Sequence, residues 1–401
     1  MPTKIFAKTI EEEAKKQIDT ISNNPAFKNC NIRIMPDTHA GKGCVVGFTS
    51  TIEDKIVPNI VGSDIGCGML IVELGKININ YYRLEEYIRT NIPSGKTVRK
   101  SSYFTGTSFF KQNFLDKLHC KNELKNIQYL EQSLGTLGGG NHFIEIDEDK
   151  SGYKYLIIHT GSRNLGAQVA KIYQEKAIKN CAYNAYNKKA SKLISILKAE
   201  GREKEIEHAL LKLKKEEPSI PKELSYLEKG TEDYDNYLND QKICIDYADK
   251  NRRIIAEHIL VFLELICCGL ADFTTLHNYI DADGIIRKGA ISAKKNELLL
   301  IPLNMRDGCI LGKGKGNSDW NYSAPHGAGR LMSRSKARQI LSLDDYSKSM
   351  EGINTFSVCK ETIDEAPMVY KSMDEIISMI SETVEVDKIL HPVYNFKAKD
   401  A

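Results

Sequence analysis

Apolar positions recur along this chain with two different periods. Ile10, Ala14, Ile18 and Ile21 are spaced four, four and three apart, the period of an amphipathic helix. The texture then changes: residues 31–35, 45–49, 55–60 and 69–74 are short β-branched runs separated by glycine-bearing polar turns, which predicts strands joined by shaped loops. A helix is predicted over 123–134, capped by Asn122 and stopped by Gly135, with strands after it at 143–146 and 155–159. Long helix dominates 167–270, where Cys244, Ala248, Ile255, Ile259, Phe262 and Ile266 form one stripe. Its lysine- and glutamate-rich part, 188–229, broken by Pro218 and Pro221, reads as a solvated helix surface. Strand-like runs return at 273–279 and 297–303. A glycine-rich stretch, 308–329, leads into a helix expected from about residue 328, and a strand is expected at 391–396. With no internal repeat and no Pro/Gly/Ser-rich linker, the pattern predicts one α+β domain over 1–401. Its central sheets are flanked by helices, and a long-helix arm is inserted at 167–270.

Composition narrows the class. Apolar residues at 41% and charged residues at 27% of 401 exclude wholesale disorder. Lys+Arg 56 against Asp+Glu 53 leaves +3, so a polyanion would have to be gripped by a local patch rather than by bulk charge. Ten cysteines are too few for a disulfide scaffold, and residues 1–20 contain no apolar segment, which predicts a reduced, cytoplasmic protein. The most apolar stretch, 254–270, is interrupted by Glu257, His258 and Glu264 and reads as a core helix rather than a membrane span.

Metal-ligand residue types stand beside glycines in four segments. Asp64 and Cys67 lie three apart in a glycine turn; alone, this is equally a plain turn with a buried cysteine. Gly138-Gly-Gly140-Asn141-His142 enters a strand like a loop built to approach phosphate, but without the spacing of a Walker or dinucleotide motif. His159 and His277 end apolar strands, where a histidine is commonly a core residue. Together the five make a set large enough for two divalent ions if one ligand bridges, which a thiolate can do; ligand softness slightly favours zinc. A fifth segment, Ser323 to Arg334, places His326 among small residues ahead of the expected helix, whose N-terminus would hold an anion. A neutral imidazole there can attack phosphorus and form a labile phosphoramidate.

These residues resemble the RtcB-type RNA ligases. The matching strings are Met35-Pro-Asp37-Thr-His39-Ala-Gly41-Lys-Gly43, Val61-Gly-Ser-Asp64-Ile-Gly-Cys67-Gly68 and Gly135 through Glu145. Further on come His159-Thr-Gly-Ser-Arg163, His277-Asn278-Tyr279, Arg287-Lys-Gly-Ala290 and His326-Gly-Ala-Gly329-Arg330, and Pro392 to Lys397 looks like the family's tail. The resemblance implies an RtcB-like fold and an RNA ligase joining 3′-phosphate or 2′,3′-cyclic phosphate ends to 5′-hydroxyls, in tRNA splicing or RNA repair. It implies Asp64, Cys67, His142, His159 and His277 as ligands of two Mn²⁺, with Cys67 bridging, in place of zinc. His326 would be the nucleophile that carries GMP from GTP. Asn141, Phe143, Glu145, Asn278, Pro302, Asn304, Met305, Ala328, Gly329, Tyr370 and Lys397 would surround the nucleotide, with Asp37 in support. RNA phosphates would be met by Arg163, Arg252, Arg253, Arg330 and Arg334, and an activating protein partner is left open; no membrane is expected. The chain departs from the family pattern at Leu303-Asn304, at Arg306-Asp307 and at Pro325, and looks like a compact branch. Two other readings stand beside this one: a metal-dependent RNA-end phosphohydrolase that needs no GTP, and a non-catalytic RNA-binding subunit.

Overall fold

The computed structural model describes residues 3–101, 111–213, 220–266 and 268–398. Pro218, expected to break the lysine-rich helix, lies outside them. The chain folds as α+β around two sheets. In the larger sheet the strand order is Leu298–Asn304, Gly308–Gly314, Val384–Lys397, Phe143–Glu148, Lys154–Thr160, Gly68–Gly75, Asp272–Leu276, every neighbour antiparallel; Asn354–Thr355 adds a parallel pair to Val384–Lys397. The smaller sheet runs Lys4–Ile5, Ile32–His39, Val46–Thr51, Ile285–Lys288, Asn278–Ile280.

Both faces of the larger sheet are apolar, so both must be covered. Leu70, Val72, Ile144, Ile146, Leu156 and Ile158 pack against Ile255 and Ile259 of the Glu232–Phe262 helix and against Leu84 and Ile88 of the Tyr81–Asn91 helix. On the opposite face Met69, Ile71, Phe143 and Ile157 meet Leu300, Cys309 and Leu390 from the far strands. The sheet therefore curls into a near-barrel, its inner face closing on itself. Each fully buried Ile or Leu contributes about 1.5–3 kcal/mol.

Several elements differ from the sequence pattern for local reasons. Of 55–60 only Lys55–Ile56 is strand; Pro58 opens a short helix, Pro58–Val61, where its missing N–H costs nothing. The helix expected over 123–134 is confined to Ile127–Ser133, because Asn126, at φ 50°, accepts from the Tyr129 N–H and caps it later than Asn122 would. The 167–270 region holds helices Arg163–Ala199 and Glu232–Phe262, and the apolar stripe stops at Phe262, leaving Ile266 exposed. Within the glycine-rich stretch, Gly308–Gly314 is a sheet strand, and the helix expected from 328 starts at Arg334, capped by Ser333. No helix among the described residues is long and apolar enough to cross a membrane.

Candidate active site

Strand register gathers the metal-type residues. Met69 pairs with His159, His159 with Phe143, Phe143 with Lys397, and Gly68 with Leu276. Cys67, His142, His159, His277 and Lys397 are therefore each within one residue of a single row across one end of the sheet. Cys67 Sγ is 3.4 Å from His159 Nε2 and 3.6 Å from His142 Nε2, and Asp64 Oδ2 is 3.1 Å from His142 Nε2. The other ring nitrogens are engaged: His142 Nδ1 donates to the Leu137 carbonyl at 3.0 Å and His159 Nδ1 to the Asn141 carbonyl at 3.1 Å. For His159 that fixes the tautomer and turns the Nε2 lone pair toward the thiol, while His142 Nε2 is shared between the thiol and the Asp64 carboxylate.

The His277 ring lies 5.1 Å from that of His159, and its Nδ1 is buried with no partner among the described residues. Burial, and then neighbouring histidines, drive His159 and His277 well below the ordinary imidazole range, so both are neutral donors. Burial and then Asp64 push the Cys67 thiol far up. Partial desolvation raises the Asp64 carboxyl, but the His142 hydrogen bond and charge outweigh it and hold it at about 2. Neutral imidazoles, an ionised carboxylate and a thiol that needs a cation before it can ionise are a donor set that fits divalent metal.

Next to this row is a cavity of about 880 Å³ including its open mouth. His326 faces it. Its Nδ1 is 2.6 Å from Asp37 Oδ2, which also accepts from the His326 backbone N–H at 3.2 Å. Asp37 is completely buried on the Ile32–His39 strand. The approach depends on Gly329 (φ 76°): a Cβ there would stand 2.5 Å from the Asp37 carbonyl oxygen. The His326 ring lies 5.0 Å from that of His277, so the imidazole adjoins the metal-type cluster. No helix N-terminus stands beside His326, since the helix begins only at Arg334; the anion site expected there is absent among the described residues.

Asn141, Phe143, Glu145, Pro302, Asn304, Met305, Ala328, Gly329, Tyr370 and Lys397 all line the cavity. Asn278 does not. It accepts from the Gly289 N–H and donates to the Asp64 carbonyl, bracing the loop that carries Asp64. In the unusual 302–307 loop, Asn304 Oδ1 accepts from the Arg306 and Asp307 N–H groups while Arg306 pairs with Asp307 at 2.7 Å, so the departures lock one another. Glu145 also accepts from Asn395, and burial, then Asp147, push its carboxyl well up; burial raises Asp147 to about 6. Burial thus disfavours the charged form of both carboxyls.

Sequence reasoning gave no role to His39, Asn395 or Glu365, which also line the cavity. Glu365 Oε1 is 2.6 Å from Arg334 and 3.4 Å from Arg330, while Oε2 is 2.8 Å from the Tyr370 hydroxyl and 2.7 Å from Lys397. Burial pushes this carboxyl up, but Lys397, Arg334 and Arg330 together hold it at about 2. A depressed folded value means stability that is present above the unfolded value near 4.5 and is lost as pH falls from there toward about 2. Thermal midpoints should therefore drop between about pH 5 and about pH 3, and Glu365→Gln should flatten that drop. Identical pH slopes in the two proteins would refute the assignment.

The arginines expected to meet RNA divide. Arg163 (φ 57°) lies against Gly138, with Nε on Thr136 Oγ1 at 3.2 Å and Nη2 on the Gly95 carbonyl at 3.3 Å. Arg330 and Arg334 are tied to Asp364 and Glu365 at the cavity wall, and Arg253 pairs with Asp249 and Asp272. Arg252 is wrongly placed among them: it is fully buried, its Nη1 donating to the Gly66 and Thr160 carbonyls at 2.9 Å each. It sits four residues after Ala248 and three before Ile255, on the buried stripe itself, and that spacing was the signal available in the sequence.

The family model described as tRNA-splicing ligase RtcB matches residues 17–398. An RNA-splicing ligase RtcB of Escherichia coli (strain K12) is 29% identical, covering 98% of this chain and 96% of its own length. A tRNA-splicing ligase RtcB of Nanoarchaeum equitans is 24% identical over 94% of this chain and 90% of its own. An RNA-splicing ligase RtcB2 of Escherichia coli (strain ATCC 25922) is 22% identical over 92% and 88%.

Proposed function

The chain belongs to the RtcB family of RNA-splicing ligases, and we propose that it joins RNA 3′-phosphate or 2′,3′-cyclic phosphate ends to 5′-hydroxyl ends through a His326–GMP intermediate. The observation that carries this reading is the Asp37–His326 pair, which turns an imidazole Nε2 toward an open cavity beside a convergent Asp/Cys/His donor set. Asp64, Cys67, His142, His159 and His277 are the residues that would hold two Mn²⁺. Those ions would supply charge neutralisation for the phosphates when bound.

The chain's own groups account for the bond changes. His326 Nε2 attacks the α-phosphorus of GTP; the N–P bond forms, the α–β P–O bond breaks, and pyrophosphate leaves. Asp37 accepts the Nδ1–H hydrogen bond and stabilises the positive charge that grows on the ring. An oxygen of the RNA 3′-phosphate then attacks the same phosphorus, breaking N–P and returning a neutral imidazole. The 5′-hydroxyl next attacks the activated 3′-phosphorus, its proton is lost to solvent or base, and GMP departs. A cyclic end is hydrolysed to a 3′-phosphate beforehand. Around the nucleotide, Phe143 and Tyr370 offer ring surfaces, and Lys397, held by Glu365, offers positive charge.

Incubation with GTP labelled at the α-phosphate and Mn²⁺ should leave an acid-labile label on the protein that His326→Ala abolishes. No label with any divalent metal would refute nucleotidyl transfer. Processing of RNA phosphate ends that survives His326→Ala would favour the hydrolase reading instead.

A further inference from the structure

One segment beside the larger sheet carries a dense excess of positive charge. Residues 83–101 carry Arg83, Arg89, Lys96, Arg99 and Lys100 against Glu85 and Glu86, a local +3 equal to the formal charge of all 401 residues. Glu85 is withdrawn from the surface: it is buried, accepts from the Tyr394 hydroxyl at 2.6 Å and pairs with Arg89 at 2.5 Å. Lys96 and Lys100 are exposed and, among the described residues, meet no carboxylate. A groove runs between the end of the Tyr81–Asn91 helix and the 93–101 segment, walled by Arg89, Asn91, Thr97, Arg99, Lys100 and Ser101; among the described residues no acidic side chain lines it.

This groove is joined to the candidate active site through backbone. Ser94 bridges to Gly138, the Gly95 N–H donates to the Gly138 carbonyl at 2.9 Å, and the Gly95 carbonyl receives Arg163. The same Arg163 charge bears on Asp64. At the other end of the helix Tyr82 is 61% exposed and meets the half-exposed Phe356 edge-on at 6.1 Å. Tyr82 and Arg89 are seven residues apart and so share one helix face. Cations followed by exposed rings along one track are what a single strand needs, because phosphates take the charge and any base can stack on a ring. The chain's small net charge is no obstacle, since the field that matters is local.

We propose that this groove, together with the exposed Lys96 of the segment that walls it, binds the single-stranded RNA leading to the 3′-phosphate, with the RNA backbone on Lys96, Lys100 and Arg89 and a base on Tyr82 and Phe356. The inference rests on the proposed reading only in taking an RNA end as substrate; the GTP chemistry can fail without touching it. Fluorescence anisotropy on the full chain, using 3′-phosphorylated RNAs of about three and about twelve nucleotides over a salt series, tests it. In Lys96→Glu/Lys100→Glu the longer RNA should bind at least tenfold more weakly, and the log–log salt slope should fall by about two. Tyr82→Ala should weaken the longer RNA about tenfold at unchanged slope. On this proposal the three-nucleotide RNA is held by the cavity rather than by the groove and should bind all three proteins alike. Unchanged affinity and slope for the longer RNA in the charge-reversed protein would overturn the proposal and leave the groove to an acidic protein partner. An equal loss for the short and long RNAs would overturn it too.

Discussion

Asp37→Asn should lower single-turnover transfer of label from GTP to the protein by about 10³–10⁴-fold while leaving the thermal midpoint nearly unchanged. The substitution is isosteric and buried, and Asn can still accept from the His326 backbone N–H. What it removes is the anion 2.6 Å from His326 Nδ1. A carboxylate there selects the tautomer with hydrogen on Nδ1 and the lone pair on Nε2, and it stabilises the imidazolium produced by attack. With a neutral amide oxygen kept toward both N–H groups, the Nδ1–H bond loses the negative charge that stabilises the imidazolium formed on attack; the equivalent change in serine proteases costs about 10⁴. Lengthening to Glu gives no rescue, because Gly47 closes the space: a Cβ on it would already stand 3.1 Å from Asp37 Oδ1. Full labelling rates in Asp37→Asn would mean that the pair only braces the loop.

Arg252→Ala should cost about 3 kcal/mol of stability and much of the divalent-metal content, with the salt slope for RNA binding unchanged. The fully buried guanidinium joins the Gly66 and Thr160 carbonyls, each one residue from a metal-type ligand, Cys67 and His159. Removing it strands both carbonyls and frees both loops. Arg252→Met separates lost packing from lost hydrogen bonds: it refills most of the volume but should restore little metal, measured as ions per chain after gel filtration. An RNA-contacting arginine would behave oppositely, with stability kept and the salt slope reduced by about one. That outcome would return Arg252 to the surface role its charge first suggested.

The two predictions mark where sequence was legible and where it was not. His142, His159 and His277 could be picked out because each stands at the end of an apolar strand beside glycine or asparagine, and Cys67 because it lies three from Asp64 in a glycine turn; antiparallel register then aligns them. The Asp37–His326 contact spans 289 positions and depends on a backbone approach at Gly329, which no local pattern encodes. Glu365 sits in a short 3-10 stretch, Lys360–Glu365, with no period to read, and its role comes from four partners scattered along the chain. Helix ends were misread where a later cap won, as at Asn126 and Ser333. The glycine-rich 308–314 run hid a strand because its glycines serve close packing: a Cβ on Gly312 would meet the Glu385 carbonyl oxygen at 2.5 Å.

The Val384–Lys397 strand lies inside the larger sheet, between Gly308–Gly314 and Phe143–Glu148, and brings Asn395 and Lys397 to the cavity. A ribosome must therefore finish some 240 further residues after residue 148 before that strand can be seated. Until then two strand edges stand open and one cavity wall is missing. At typical synthesis rates of about 5–20 residues per second the interval is on the order of ten seconds or more. The nascent chain is thus both inactive and prone to wrong pairing through most of its synthesis. Ribosome-bound chains arrested before residue 384 should recruit a chaperone, whereas chains extended well past residue 397 should release it as the gap in the sheet closes.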